Sequence, residues 1–271
     1  MKELQNLHTH SSYCDGANTP EEIILTAIDK GFTSIGFSGH TYMSCSPFFQ
    51  KKGDHTEAYK KNISELKIKY KDLIRVYLGL EVDMYAGCDM TGYDYLIGSV
   101  HYLKIGDEYL NLVKPCDVVE KIINEHFGGD GIKYMKAYYS SMTKLPEYGN
   151  FDIIGHFDLV SMHSEKRNFF DIESKEYLNA AIEAAEALKG KIPFFEVNTG
   201  AMARGQKSIP YPSLAIVKEL KRLGFGAVIA SDCHNMVNLD YGFDIAEEVL
   251  KAGGFKEKYI LTDNGFTAVS I

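Results

Sequence analysis

Tryptophan is absent from the 271 residues. No apolar stretch approaches the roughly 20 residues that a membrane-spanning helix requires, and the first residues lack the hydrophobic run of a secretory signal. A membrane role is therefore not expected. Positive charge is also scarce. Lysine and arginine number 29 against 37 acidic residues, for a formal net charge of −8. A protein that tracks long nucleic acid needs a basic surface for phosphates, so that class is excluded. A small anionic substrate is not, because bound metal reverses the sign of a pocket locally. The five cysteines (Cys14, Cys45, Cys88, Cys116, Cys233) are odd in number and contain no C-x-x-C pair. That argues against a disulfide framework or a zinc ribbon and for a reducing, cytoplasmic setting. Low-complexity segments and linkers are missing too, so residues 1–271 are expected to form one domain. Against these absences stand 18 tyrosines and 15 phenylalanines, which supply the aromatic bulk of a core, and an ordinary 45% hydrophobic content.

Short apolar runs alternate with helical patterns along the chain. Leu4 to Leu7 reads as a strand that runs into His8-Thr9-His10. Strand residues two apart share a face, so both imidazoles can meet at one point. Thr19-Pro20-Glu21-Glu22 is a helix start with a capping box, and Gly31 is its stop. The run from Ser34 to His40 reads as a short strand with the histidine just past its end, and a helix over about 56–71 leads to a strand ending at Glu81. Later strands end at His101, His156, Glu196-Val197-Asn198 and Asp232-Cys233-His234. Helices are expected over 115–127, 132–142, 174–189 and 213–223, with Leu178, Ala181, Ile182 and Ala185 facing inward on the third. The tail from Tyr259 reads as a strand-like run with an Asn264-Gly265 turn.

The strands are near-continuously apolar, as parallel strands covered on both faces are. Alternating strand and helix gives β-α units in a parallel sheet. All the strands carry polar, ligand-type residues at their C-terminal ends. An open sheet gathers ligands from a few strands at a switch point, whereas a barrel brings every strand end to one mouth. The expected fold is a distorted α/β barrel of seven strands, (β/α)7, with its site at the C-terminal ends of the strands.

Six of the nine histidines fall at strand ends: His8, His10, His40, His101, His156 and His234. His55, His126 and His163 lie elsewhere and are expected to be solvated. With Asp15, Glu81 and Asp232, the six make nine candidate metal ligands. Mixed imidazole and carboxylate donors without thiolate suit a catalytic Zn, Mn or Fe site rather than structural zinc. Nine ligands fit two or three divalent ions, with Glu81 able to bridge two of them. Such a centre suits a phosphate monoester, since bound ions lower the pKa of a water and stabilise phosphoryl oxygens. Asp232 and His234 are the candidates for managing the proton. Arg204, whose guanidinium can grip two phosphate oxygens, is the candidate phosphate clamp. Asn198, Ser161 and Asp158 are further candidate substrate contacts, Glu196 is placed behind a ligand, and Tyr42, Met43 and Phe48 are candidate pocket walls.

His8-Thr9-His10, Ser38-Gly39-His40, Gly79-Leu80-Glu81, Gly98-Ser99-Val100-His101, Gly155-His156-Phe157-Asp158 and Ser231-Asp232-Cys233-His234 resemble, in order, the motifs of the PHP (polymerase and histidinol phosphatase) superfamily. Phe195-Glu196-Val197-Asn198-Thr199-Gly200 is similar to a stretch of its stand-alone histidinol-phosphate phosphatases. The resemblance implies a trinuclear site. One metal would take His8, His10, Glu81 and Asp232. A second would share Glu81 and add His101 and His156. A third would take Asp15, His40 and His234. The implied activity is hydrolysis of L-histidinol phosphate in histidine biosynthesis. The alternatives are a phosphoesterase acting on a nucleotide or other phosphorylated metabolite, and a non-catalytic metal-binding PHP module.

Overall fold

The computed structural model describes residues 3–43 and 53–271. Seven strands make one parallel sheet in the order β1 (Gln5–Asn6), β2 (Ser34–Phe37), β3 (Arg75–Asp83), β4 (Tyr95–Ser99), β7 (Ile153–Ile154), β8 (Phe194–Asn198) and β9 (Gly226–Ala230). The register climbs in step, with Gln5 opposite Ser34, Ile35 opposite Val76 and Phe194 opposite Gly226. A single parallel bridge between Thr9 and Cys233 joins the first strand to the last. There the His10 amide donates to the Cys233 carbonyl at 2.9 Å, and the Cys233 amide to the His8 carbonyl at 3.2 Å. The sheet is therefore a nearly closed barrel, as expected from the polar strand ends.

The flanking helices follow their sequence signals. In α1 (Pro20–Asp29) the Thr19 hydroxyl accepts from the Glu22 amide, and the Glu22 carboxylate accepts from the Thr19 amide at 2.8 Å. Gly31 then turns the chain with φ 76°. Helix α2 covers Thr56–Lys69. Helix α5 (Lys175–Leu188) buries Tyr177, Ala180, Ala181, Ala184, Ala185 and Leu188. Leu178 and Ile182 sit on the shoulder instead, because the small alanines let the neighbouring helices pack over the adjacent stripe.

Two layers of core result. The outer layer lies between the ring and its helices. The inner layer fills the barrel with Leu7, Tyr77, Tyr95, Ile97, Ile153, Val228 and Leu261. Tyr95 lies across Gly36 and Gly79, where any Cβ would overlap its ring, and its hydroxyl donates to the Leu7 carbonyl. The tail forms a complete hairpin, β10 (Glu257–Thr262) and β11 (Gly265–Ser270), that stoppers the N-terminal end. The Gln5 side-chain amide fixes it by pairing with both main-chain groups of Leu261, at 2.8 and 2.7 Å.

Two elements depart from the expected plan. Between His101 and α3 (Cys116–Phe127) the chain folds a hairpin, β5 (Tyr102–Ile105) and β6 (Glu108–Asn111), ahead of α3 and α4 (Gly131–Met142). A further helix, with α6 (Gly200–Ala203) and α7 (Leu214–Leu223) before it, is α8 (Phe243–Ala252), which buries Phe243, Ala246 and Leu250. His163 is also not solvated. It is 7% exposed and its Nε2 bonds the Lys114 carbonyl at 2.8 Å, tying the loop after β7 to the start of α3.

Candidate metal centre

Glu81 stands at the middle of the barrel mouth, 1% exposed. Its two oxygens face different sets of rings. Oε2 lies 3.3 Å from His8 Nε2, 3.5 Å from His10 Nε2 and 2.8 Å from His40 Nδ1. Oε1 lies 3.3 Å from His101 Nε2 and 3.1 Å from His156 Nε2, and takes a hydrogen bond from the Ser99 hydroxyl at 2.7 Å. Asp232 reaches His10 Nε2 at 3.2 Å and His8 Nε2 at 3.6 Å. Asp15 reaches His234 at 3.3 Å and His40 at 3.5 Å. All nine sequence-predicted ligands are thus brought together.

Three sub-clusters have donor atoms within 4.8 Å of one another: His8, His10 and Asp232; His10, Asp15, His40 and His234; and His40, Glu81 and His101. The first holds three of the four groups expected for one ion, without Glu81, and the second holds the expected Asp15, His40 and His234 together with His10. In the third, His40 faces Glu81 beside His101, while His156 touches Glu81 from the other side.

The donor set fits divalent cations. His8 Nε2, His10 Nε2 and Glu81 Oε2 are buried with no hydrogen-bond partner, a costly arrangement unless a cation satisfies them. Electrostatics agree. Burial pushes the Glu81 carboxyl up, but His8, His40 and His101 outweigh it and hold it well below the usual carboxylate range. Burial likewise raises Asp232, and Arg204 and His8 outweigh it. Burial pulls His101 down, yet Glu81 and Asp83 lift it to about 9. Burial, with His234 and His40 alongside, drives His10 down to about 3. The carboxylates stay ionised and call for positive charge that only some of the rings can carry as protons.

A second ring of groups orients the ligands. Glu196 holds His8 Nδ1 at 2.9 and 3.1 Å, leaving Nε2 for the centre. Asp83 holds His101 Nδ1 at 3.2 Å in the same way. Such carboxylate–histidine pairs set the tautomer and raise ligand basicity. Sequence alone assigns Asp83 no role and names Ser99 only within the run that ends at His101, although a signal for both exists. Asp83 is two residues past Glu81 and Ser99 two before His101, on the same strand faces. Asp232 is the one described non-glycine residue with positive φ, at 46°, which turns its carboxylate into the mouth.

The mouth opens on a cavity of about 740 Å³. Arg204 lines it, anchored to Asp232 by bonds to Oδ2 at 3.1 Å and to the carbonyl at 3.2 Å. Met43 lines it too, whereas Tyr42 does not and Phe48 lies outside the described residues. Another part of the wall is mostly apolar, with Leu110, Val113, Val118, Leu159 and Met162, and carries Tyr102, Asn111 and Lys114 among them. Three candidate substrate contacts stand behind the walls rather than in them. Asn198 donates to Glu196 Oε1 at 2.7 Å. Ser161 accepts from Lys207 Nζ at 2.6 Å. Asp158 takes the Tyr177 hydroxyl at 2.9 Å and the Ser213 amide at 3.1 Å. All three are fully buried, so they brace the loops after β7 and β8.

Residues 6–200 match the family model of the PHP domain, most of the chain. The chain belongs to the PHP family. Among curated PHP relatives, a protein of Deinococcus radiodurans named "Probable histidinol-phosphatase" is 26% identical over 94% of this chain and 95% of its own. The histidinol-phosphatase of Bacillus subtilis is 24% identical over 88% of this chain and 96% of its own. The crystal structure of the histidinol phosphate phosphatase of Lactococcus lactis, complexed with zinc, L-histidinol and phosphate, superposes with a TM-score of 0.74 at 21% identity, covering 97% of this chain and 98% of that one. This PHP barrel therefore shares its fold across its length. No described helix is long and apolar enough to cross a membrane.

Proposed function

We propose that this PHP protein is a histidinol-phosphatase, hydrolysing L-histidinol phosphate to L-histidinol and phosphate in the cytoplasm, with residues 1–271 acting as one barrel domain. The observation that carries it is Glu81, set between two groups of imidazoles with one oxygen toward each, beside an arginine facing the same cavity. The relatives named for that reaction extend along most of the chain.

His8, His10, Glu81 and Asp232 would hold one ion, Glu81, His101 and His156 a second, and Asp15, His40 and His234 a third, with zinc the ion of the Lactococcus protein. Bound divalent ions supply an ionised water and Lewis-acid stabilisation of the phosphoryl oxygens. The chain's own groups do the rest. Arg204 presents its guanidinium to the phosphate, held at a fixed angle by Asp232. His234 lines the cavity with Nδ1 on the Asp232 carbonyl at 3.0 Å, so Nε2 faces Asp15 and the opening. That contact supports reading Asp232 and His234 as the groups that manage the proton of the leaving alkoxide. The apolar wall holds the organic part and keeps bulk water from the mouth.

The test is phosphate release by the purified protein reconstituted with Zn²⁺, Mn²⁺ or Fe²⁺. L-histidinol phosphate should be turned over faster than a panel of nucleotides and sugar phosphates, and chelator should abolish the activity. Faster turnover of a nucleotide would move the assignment to another PHP phosphoesterase, and no turnover with any metal would reduce the protein to a binding module.

A further inference from the structure

The cavity wall built by the β5–β6 hairpin carries a polar pair, Tyr102 and Asn111, among apolar side chains, with Tyr109 and Lys114 also on the lining. Tyr102 opens β5, Asn111 closes β6, and the hairpin register sets them opposite each other. Asn111 Nδ2 donates to the Tyr102 hydroxyl at 3.0 Å, while Asn111 Oδ1 accepts from the Val113 amide at 2.8 Å. The main chain thus fixes which end of the amide faces the phenol, because a flipped amide would set two donors against each other at Val113. The phenol oxygen becomes an acceptor, and its own proton must point elsewhere. Among the described residues no group accepts that proton. Both side chains line the cavity, and Tyr102 is only 8% exposed.

The surroundings narrow what can meet it. Leu110, Val113, Val118, Ile122 and Leu159 offer no polar atom from their side chains. The carboxylates that line the cavity are Asp15, Glu81, Asp83 and Asp232, all at the metal end. A ligand reaching from the metals to this wall therefore finds apolar surface for a flat ring and, in the Tyr102 phenol, a hydrogen-bond donor held in a fixed orientation for its edge, whereas Lys114 on the same lining is a flexible cation.

We infer that Tyr102, oriented by Asn111, reads the leaving group of the substrate by donating a hydrogen bond to an unprotonated nitrogen of a heteroaromatic ring. The inference rests on the proposed phosphatase activity and names the residue that selects its substrate. With an imidazole the phenol is satisfied. With a hydrocarbon ring of the same shape it is buried without an acceptor, which is how a polar group in a site rejects an isostere.

The experiment compares L-histidinol phosphate with L-phenylalaninol phosphate, which keeps the phosphate, the chain and the ammonium and lacks the ring nitrogens. Steady-state kinetics are measured on the metal-loaded wild type, Tyr102→Phe and Asn111→Ala, with bound metal quantified in each. The wild type should prefer histidinol phosphate. In Tyr102→Phe the ratio of kcat/KM between the two substrates should fall about tenfold, carried mainly by KM, at undiminished metal content. Asn111→Ala, which frees the phenol to rotate, should move the ratio the same way by less, and it serves if the first variant fails to fold. A ratio that stays at the wild-type value, or equal slowing on both substrates, overturns the inference and leaves the phosphatase standing. A wild type inactive on histidinol phosphate overturns the proposed function and this inference together.

Discussion

Glu196 shows how much of this centre depends on side chains that touch no metal. It is fully buried and its oxygens take the His8 ring, the His156 amide at 2.7 Å and the Asn198 amide. One carboxylate thus positions ligands from two strands. Glu196→Gln keeps the volume and the oxygen that takes the His156 amide, but puts an amide NH2 where Oε2 now faces His8 Nδ1 at 2.9 Å, setting two donors against each other. Metal affinity should fall by about 10- to 100-fold with the far-UV spectrum unchanged, as read by competition with a chromogenic chelator. Affinity equal to wild type would show that His8 is held by packing alone. His8→Ala removes the ligand itself. It should lose one metal equivalent by elemental analysis and reduce phosphate release to background while the barrel stays folded. Gly200 matters for a different reason. A Cβ there would lie 2.9 Å from both Cβ and Oδ2 of Asp232, whose backbone is already in the left-handed region. Gly200→Ala should therefore cost activity far more than stability, and a crystal structure of the variant would show the Asp232 carboxylate displaced.

Strand β3 carries the design of the barrel interior in four alternate positions. Tyr77 packs in the inner core, Gly79 makes room for Tyr95, Glu81 enters the mouth, and Asp83 orients His101. The intervening Val76, Leu78, Leu80 and Val82 belong to the outer core. Gly79→Ala forces a methyl into the Tyr95 ring, and overpacking of this kind costs about 1–3 kcal/mol. Urea denaturation should show the lower midpoint at an unchanged slope, and no shift would mean that the ring has room to move. This strand also shows what the sequence discloses. Its Glu81 was legible, because an acidic residue after an apolar run marks a strand's approach to the mouth, although the strand runs two residues further, to Asp83. Its inward face was not, because a strand buried on both sides is apolar in both registers and hides the period of two. The same blindness hid β5 and β6. Tyr102 to Asn111 is short, mixed in polarity and turned by Gly106, so it reads as part of a loop, yet it builds the wall of the cavity. The place of Arg204 on the cavity was legible from its position after β8, whereas Asp158 and Ser161, after β7, and Asn198, which closes β8, face inward, a choice made by the tight turns around them.

At the scale of the whole molecule, the centre lies across the seam of the barrel. His8 and His10 come from the end of β1, and Asp232 and His234 from the end of β9. Between those strands the ring is joined by the Thr9–Cys233 bridge, with the Asn6 amide reaching the Ser231 hydroxyl at 2.7 Å beneath it. Elsewhere around the ring, neighbours share from two paired positions, as in β4 and β7, to five, as in β8 and β9. The seam is where strand pairing contributes least, and it is where ligands from both sides would share an ion. Metal should therefore act as a clasp. A ligand that binds only the folded state at about 100 times its dissociation constant adds roughly 2.7 kcal/mol of stability. For a chain of this size that is about 5–10 °C in the thermal midpoint. Stripping the metals should lower the midpoint by that order, and their return should restore it. The loss should also be local. Hydrogen exchange should quicken at residues 5–10 and 229–234 more than in β3 and β4, because opening the seam needs no disruption of the Tyr95 core. Uniform acceleration across the barrel would mean that the ions stabilise the fold as a whole rather than its closure, and the asymmetry between seam and ladder would then have no energetic weight.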